Sequence, residues 1–475
     1  MLLPQLYALP SLQGPAIQLS EAKKLAMEGK YAEAEASVRA LMSRQPSPDG
    51  FDLLGTIYEQ QSKLNQAEEA YGQAVKLNPA NQYSKTRLGI VYGKNGKYTD
   101  CVGVLEKLPH NIGDNPEALF YLCRAYLETG NRVSALETAA MVERLGEKDP
   151  GALLSVGRLL VSKDLNQQAE PMLKKAVKHL PKSSEARYSL AFALFKMRKY
   201  EEMSTYLDKA QDLDPTAPRV LLLRALSLLD SGKLSAAKDY IRKAQTLSPG
   251  DKFAAFLWGR ALIEEGNYTE AIKLISDLIA GGFNDPNAHL SLINAFRRNG
   301  EFEKAVNYAL KVVQLFPDNP SAQLRAGVEL EFLGDFQQAE GYLRKAIALG
   351  ANDPEILKTA KFSLATVSVK AGKDAEAVRL FEDVIRTNPS DVYARVELAD
   401  LLHKARQYEP AVKLLQEALS FDSRNKRAHF LLGNVLTKLG KSAEAQEHFR
   451  MFEELEKSEG GSKSEKPTIY TQSIK

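Results

Sequence analysis

The feature that most constrains this chain is a sequence repeat of thirty-four residues that runs along almost its whole length. The phrases GKYAEAEASVRAL, GNYTEAIKLISDL and GDFQQAEGYLRKA fall into one register when the chain is aligned at this period. A unit of this size cannot bury its apolar face alone, so it stacks on neighbouring copies and forms a solenoid. The register gives thirteen units, which open near residues 15, 48, 82, 116, 150, 184, 218, 252, 286, 320, 358, 392 and 426.

Two columns of this register hold small residues. The eighth position of the unit is small in twelve of the thirteen units, and the twentieth position is alanine in eleven. Antiparallel helices approach closely only where the residues at their crossing carry little side chain. Larger apolar residues at the seventh, eleventh and twenty-fourth positions, such as Leu54, Tyr58 and Tyr71, fill the space beside the crossing. Each unit is therefore predicted to be a pair of packed helices.

Glycine and proline mark the ends of the helices. Proline closes or opens many of the units, because it is tolerated in the first turn of a helix and not in its interior. Nine units have a glycine between their two helices, where the end of a helix favours a left-handed residue: Gly29, Gly96, Gly130, Gly232, Gly266, Gly300, Gly334, Gly372 and Gly440.

Over residues 15–457 the pattern resembles the tetratricopeptide repeat family, which has Leu-Gly, Tyr, Ala, Phe and Pro at these offsets. The resemblance implies an all-α, right-handed superhelical α-solenoid of about thirteen helix pairs, continuous over residues 15–457. It also implies that the first helix of each pair lines a concave groove. The register breaks once, where four extra residues precede position 358. Asp353 as N-cap and Pro354 at the first helical position predict a lengthened first helix, either as a tolerated insertion or as a step between two binding surfaces.

The two ends of the chain do not follow the repeat. Residues 1–14 are apolar and contain two prolines, so they are interpreted either as a loose arm or as the remnant of a signal peptide. Residues 458–475 are rich in Gly, Ser and mixed charge and are predicted to be a disordered tail. The compartment therefore stays open: the cytoplasm is slightly favoured, and an exported or periplasmic location follows if the N-terminus is a truncated signal.

Composition excludes several classes of function. The 63 basic and 60 acidic residues leave a formal charge of +3, so no strong field attracts nucleic acid. Two cysteines give neither a disulfide framework nor a zinc motif. No stretch of eighteen apolar residues predicts a transmembrane helix. The oligomeric state is not determined by the sequence.

The search for catalytic motifs finds none. The segment GNVLTKLGKS ends like a phosphate-binding loop, but Val435 stands where the first glycine of that motif is required. The six histidines form no metal-hydrolase motif, although His403 and His429 lie on the first helices of adjacent units and are candidates for proximity. The chain is therefore expected to be no enzyme and to use no cofactor or metal.

The predicted groove combines aromatic with cationic and amide side chains, a composition that binding hot spots favour. For some of these aromatic rings, packing in the core is as good an interpretation as contact with a ligand in the groove. Three repeats have an arginine at their ninth position, and this recurrence favours the assignment of these arginines to the groove: Arg124, Arg158 and Arg260. The complete set of candidate residues is Phe120, Arg124, Arg158, Tyr188, Phe192, Phe253, Phe256, Arg260, Asn294, Arg297, Arg298, Phe362, Tyr393, Arg427, Phe430 and Asn434.

The expected function is a non-enzymatic scaffold whose groove binds protein or peptide ligands, with extended or acidic segments as the best fit. The complete Lys/Asn clamp by which some family members hold the C-terminal carboxylate of chaperones is absent. The alternative is an exported scaffold for the assembly or secretion of polysaccharide or envelope components.

Overall fold

A computed structural model describes residues 15–108, 115–146, 148–351 and 353–458. In these ranges every regular element is an α-helix, which confirms the all-α prediction. The predicted N-terminal arm, residues 1–14, and residues 459–475 of the predicted tail lie outside the described residues. The chain divides into two compact units, residues 1–223 and residues 224–475, with the division inside helix α13 (Pro218–Asp230).

The first unit contains six helix pairs and the beginning of α13. Their bounds are α1 (Pro15–Met27), α2 (Tyr31–Met42), α3 (Pro48–Gln60), α4 (Leu64–Leu77), α5 (Gln82–Lys94), α6 (Tyr98–Leu105), α7 (Pro116–Glu128), α8 (Arg132–Leu145), α9 (Pro150–Ser162), α10 (Asn166–His179), α11 (Ser184–Lys196) and α12 (Tyr200–Leu213).

The second unit contains the end of α13 and the remaining helices. These are α14 (Leu234–Leu247), α15 (Lys252–Glu265), α16 (Tyr268–Ala280), α17 (Pro286–Arg298), α18 (Phe302–Leu315), α19 (Pro320–Leu333), α20 (Phe336–Leu349), α21 (Pro354–Lys370), α22 (Asp374–Thr387), α23 (Val392–Lys404), α24 (Tyr408–Phe421), α25 (Lys426–Lys438) and α26 (Ser442–Ser458).

The odd-numbered helices are the first helices of the repeats. They begin at the repeat openings counted along the sequence, except that α21 begins four residues before position 358 and has 17 residues. The side chain of Asp353 accepts hydrogen bonds from the backbone N–H groups of Glu355 at 3.0 Å and Ile356 at 3.2 Å. The four extra residues therefore add one capped turn to the start of a first helix, as the sequence predicted.

The turn inside each repeat contains one residue with a positive φ. Nine repeats use the glycines predicted for this place, for example Gly266 at φ +84°. The other four use Ser62, Asp164, Arg198 and Arg406, with φ between 55° and 62°. The left-handed conformation is thus imposed by the helix–turn–helix geometry, and glycine is the residue that adopts it with the least strain.

Small residues at the eighth position let the two helices of a repeat approach. A Cβ atom added to Gly55 would lie 2.6 Å from the ring of Tyr71, and one added to Gly433 would lie 2.6 Å from the ring of Phe449. Both rings occupy the twenty-fourth position of their repeat. The large side chain of the second helix therefore fills the space that the missing side chain of the first helix leaves.

Candidate partner-binding surface

The first helices of neighbouring repeats contact one another within each unit, for example α5 with α7, α7 with α9 and α23 with α25. We call the side of each unit that carries the exposed residues of these first helices the first-helix surface. It is the part of each unit to which the sequence assigned the candidate residues.

A cleft of about 470 Å³ lies between α7 and α9 on this surface of the first unit. We call it the α7–α9 cleft. Three of the predicted residues, Phe120, Arg124 and Arg158, line it. Its other lining residues, Glu128, Ser155, Leu159, Ser162 and Lys163, were not singled out from the sequence. The cleft therefore offers half-buried apolar side chains, two hydroxyl groups and three cations against one carboxylate.

The three cations of the cleft differ in their partners. Lys163 Nζ lies 2.7 Å from Glu128 Oε2, and Arg158 Nη1 lies 2.7 Å from Glu185 Oε1 on α11. The guanidinium of Arg124 lies over the ring of Tyr98, 5.6 Å from its centroid, and forms no ion pair within the described ranges. Arg124 is therefore the cation of this cleft whose charge the described residues leave uncompensated.

Glu185 connects the cleft to the next first helices. One of its carboxylate oxygens pairs with Arg158, and the other lies 2.5 Å from Arg219 Nη2 on α13. The hydrogen bond from Arg219 and the nearby charge of Arg158 lower the pKa of Glu185. The guanidinium of Arg219 also lies 5.1 Å from the centroid of the Tyr188 ring. Predicted residues Tyr188 and Phe192 are half-buried, with ring centroids 6.1 Å apart.

A second charged cluster links α3, α5 and α7, and sequence reasoning missed it. Lys94 Nζ lies 3.0 Å from Glu59 Oε1 and 2.8 Å from Glu117 Oε1, and Arg87 pairs with both carboxylates. Tyr71 donates a hydrogen bond of 2.8 Å to Glu59. The Glu59 side chain is only 3% exposed, so this cluster is a structural crosslink between first helices. The signal was present in the sequence, because acidic and basic residues recur on successive first helices, but spacing within one helix does not show which charges meet.

Most predicted cations of the second unit are paired with the neighbouring first helix. Arg260 lies 2.9 Å from Asp230, Arg298 lies 3.9 Å from Glu264, and Arg427 Nη2 lies 2.8 Å from Glu397 Oε2. Arg297 is largely buried, with Nη1 3.4 Å from Glu329 Oε1 and its guanidinium 5.0 Å from the Phe332 ring centroid. The predicted arginines of this unit are thus paired with carboxylates of adjacent first helices.

Two predicted aromatic residues do not lie on the first-helix surface. Phe256 is 2% exposed and packs beside Phe283, at a centroid distance of 5.8 Å. Phe362 is 7% exposed and meets Phe381 edge to face at 5.4 Å. Their assignment to the groove is corrected: these rings fill the space between packed helices, the alternative that the sequence left open.

The remaining candidates differ in exposure. Tyr393 is 41% exposed and Phe430 is 46% exposed, whereas Phe253, Asn294 and Asn434 are half-buried. These residues occur on four different first helices of the second unit, α15, α17, α23 and α25. None of them lines the α7–α9 cleft, which belongs to the first unit.

A histidine pair occurs in the last repeat, with a partner that the sequence did not suggest. His429 Nδ1 lies 3.0 Å from His448 Nδ1, and His429 Nε2 lies 3.0 Å from the Ser423 carbonyl. Because a carbonyl only accepts, Nε2 of His429 carries the proton and His448 donates from Nδ1. His289 in repeat nine has the same position and contacts Tyr308 at 2.8 Å. These imidazoles therefore fasten the two helices of their repeats.

Other kinds of site are not apparent in the described ranges. No group of three or more His, Cys, Asp or Glu side chains there is arranged to hold a metal ion. None of the described helices is both long and apolar enough to cross a bilayer. The thiols of Cys101 and Cys123 are buried, which raises the pKa of each to about 12.

Stacked helix pairs define a repeat protein, a fold that is typical of protein-interaction scaffolds. Models of the tetratricopeptide repeat match residues 161–226 and 368–420, residues 222–289, 256–320 and 290–354, and residues 50–81. Together these matches cover more than half of the chain. The chain belongs to the tetratricopeptide repeat family.

The chain is similar to a bacterial repeat protein and to two solved structures. A TPR repeat-containing protein of Bacillus subtilis, YpiA, is 27% identical over 108 residues, which are 20% of this chain and 26% of that protein. The chain thus matches about a quarter of this relative's length. The crystal structure of the APC/C hetero-tetramer Cut9–Hcn1 matches with a TM-score of 0.52 at 15% identity, over 94% of both chains. The yeast Tom70 structure matches with a TM-score of 0.41 at 16% identity, over 94% of this chain and 99% of that one.

Proposed function

We propose that this protein is a non-enzymatic scaffold that binds extended, acidic segments of other proteins on the first-helix surface of its first unit. The observation that carries the proposal is the α7–α9 cleft, which half-buried Arg124 lines without a carboxylate partner among the described residues. The similar Cut9–Hcn1 structure is that of a hetero-tetramer, and a protein-binding role for this chain agrees with that precedent.

The side chains of the cleft suit a peptide that carries both apolar and acidic residues. Phe120 and Leu159 supply apolar surface. Ser155 and Ser162 donate their hydroxyl protons to carbonyls of α9, so their oxygens accept hydrogen bonds from peptide N–H groups. The guanidinium of Arg124 is suited to hold a ligand carboxylate through charge-assisted hydrogen bonds. Aromatic and arginine side chains beside each other are a frequent composition of binding hot spots.

The test uses fluorescein-labelled peptides in which Leu or Phe alternates with Glu, and matched peptides with Gln in place of Glu. Fluorescence anisotropy with the full chain should show binding of the acidic peptide and much weaker binding of the Gln peptide. Arg124→Glu should weaken the binding about tenfold or more, because it removes a charge-assisted contact and adds repulsion.

Arg144→Glu is the matched control. Arg144 is an exposed arginine of the same repeat, but it lies in the last turn of the second helix α8, which contributes no residue to the cleft, so the net charge changes equally outside the cleft. Its affinity for the acidic peptide should stay within about twofold of the parent value. Equal affinities of both variants, or no binding of either peptide by the parent chain, would refute the assignment of the cleft.

A further inference from the structure

We propose that Arg158 and Arg219 form a carboxylate subsite beside the α7–α9 cleft, which Glu185 occupies in the free protein and from which a partner's carboxylate displaces it. This inference rests on the proposed function, and it describes how the binding of acidic segments is regulated. Glu185 then acts as an internal competitor that lowers the affinity of the first-helix surface for acidic segments.

The geometry is that of a bound carboxylate held from two sides. Glu185 stands in the first turn of α11, and its flanking first helices α9 and α13 each present one arginine to it. The distances are 2.7 Å from Arg158 Nη1 to Oε1 and 2.5 Å from Arg219 Nη2 to Oε2. Each oxygen therefore has its own guanidinium, which is how arginines recognise a carboxylate from any source.

The exposure of the three side chains makes the carboxylate exchangeable. The side chain of Glu185 is 31% exposed, that of Arg158 is 56% exposed and that of Arg219 is 44% exposed. Ion pairs at such a surface contribute little to stability, and their side chains rearrange easily. Glu59 is the contrasting case, since its side chain is 3% exposed and held by Arg87, Lys94 and Tyr71.

The position of the subsite ties it to the cleft. Arg158 both lines the α7–α9 cleft and holds Glu185. A peptide that places one carboxylate on Arg124 and the next on Arg158 competes directly with Glu185. Once Glu185 turns into solvent, Arg219 is also released, and its contact with the face of Tyr188 keeps its guanidinium on the first-helix surface. Displacement therefore extends the cationic surface from α7 to α13.

The experiment compares Glu185→Gln with Glu143→Gln in the full chain. Glu143 is a matched control, because it forms a 2.7 Å ion pair with Lys175 and its side chain is 30% exposed, but it lies on second helix α8. Binding of the labelled acidic peptide is measured by anisotropy at low and moderate salt. We expect Glu185→Gln to bind the peptide about fivefold tighter than Glu143→Gln, with a steeper loss of affinity as salt is added.

A double variant tests which groups receive the ligand. Glu185→Gln combined with Arg219→Gln should lose the gain, and circular dichroism should show unchanged helix content in every variant. If Glu185→Gln binds no tighter than Glu143→Gln while the parent chain binds the peptide, the competitor role is refuted and the proposed function stands. If the gain persists in the double variant, the subsite assignment is refuted. If neither the parent chain nor Glu185→Gln binds, the proposed function falls together with this inference.

Discussion

Substitution of Gly327 by alanine tests the packing that the eighth position imposes on every repeat. Gly327 lies in α19, where an added Cβ would be 2.6 Å from Leu343 Cγ, 2.7 Å from Leu343 Cδ2 and 3.3 Å from the Ala339 carbonyl oxygen. Leu343 is fully buried and cannot turn into solvent, and the carbonyl belongs to the backbone of α20. The added methyl group must therefore push α19 and α20 apart.

Gly341 in α20 of the same repeat supplies the matched control. A Cβ added there meets no atom within 4 Å, so Gly341→Ala should stabilise the protein by about 1 kcal/mol through helix propensity alone. Gly327→Ala gains the same propensity but has an overpacking penalty of about 1–3 kcal/mol. The propensity cancels between the two variants, and the expected difference in the free energy of unfolding is therefore about 1–3 kcal/mol, with Gly341→Ala the more stable.

Urea unfolding followed by far-UV circular dichroism measures this difference. Because repeat proteins can unfold in more than one step, hydrogen exchange of the α19 and α20 amides gives a local measure. Equal stabilities of the two alanine variants, within about 0.5 kcal/mol, would show that α19 and α20 do not approach as closely as described.

Three further predictions concern the second unit. Ala237 is fully buried, so Ala237→Leu should cost about 1–3 kcal/mol in urea unfolding, whereas leucine at the exposed neighbour Ala236 should change stability by less than about 0.5 kcal/mol. Burial, and after it the nearby His429, lower the pKa of His448. The unfolded chain therefore binds more protons than the folded chain, and stability falls as the pH drops below about 6.5. His448→Tyr introduces the residue type that repeat nine has at this position, and it should reduce the loss in melting temperature between about pH 8 and 5. Burial raises the pKa of Glu331 to about 7, so the folded state keeps a proton that the unfolded chain releases near pH 4.5, and stability falls as the pH rises between these two values. Glu331→Gln should therefore raise the melting temperature at about pH 8 and leave it nearly unchanged at about pH 4.5. An equal gain at both pH values would contradict the raised pKa of Glu331.

Much of the local structure was predictable because it depends on short-range rules. The lengthened helix α21 followed from Asp353 and Pro354, since an N-cap and a proline act within one turn. The left-handed turn at Gly266 followed from the same kind of rule. That the chain is one continuous solenoid over residues 15–457 stays a prediction, because the described residues form two compact units.

The candidate surface was predictable only in part. Phe120, Arg124 and Arg158, which the register assigned to first helices, line one cleft in the structure, because residues three or four positions apart share one face of a helix. It did not show that Phe256 and Phe362 are buried, because that depends on how far a neighbouring helix covers each position. A position in a repeat defines the direction of a side chain but not the space in front of it.

The sequence by itself determined the repeat, the helix pairs and the small residues at their crossing, because each of these depends on spacing within one unit. Only the tertiary structure decided which charges are compensated: Arg158 and Arg219 share Glu185, Lys94 bridges Glu59 and Glu117, and Arg124 stacks on Tyr98. These partners lie in adjacent repeats, and they meet only because stacking brings neighbouring repeats together. The chemistry that the first-helix surface offers to a partner is therefore set by contacts between repeats.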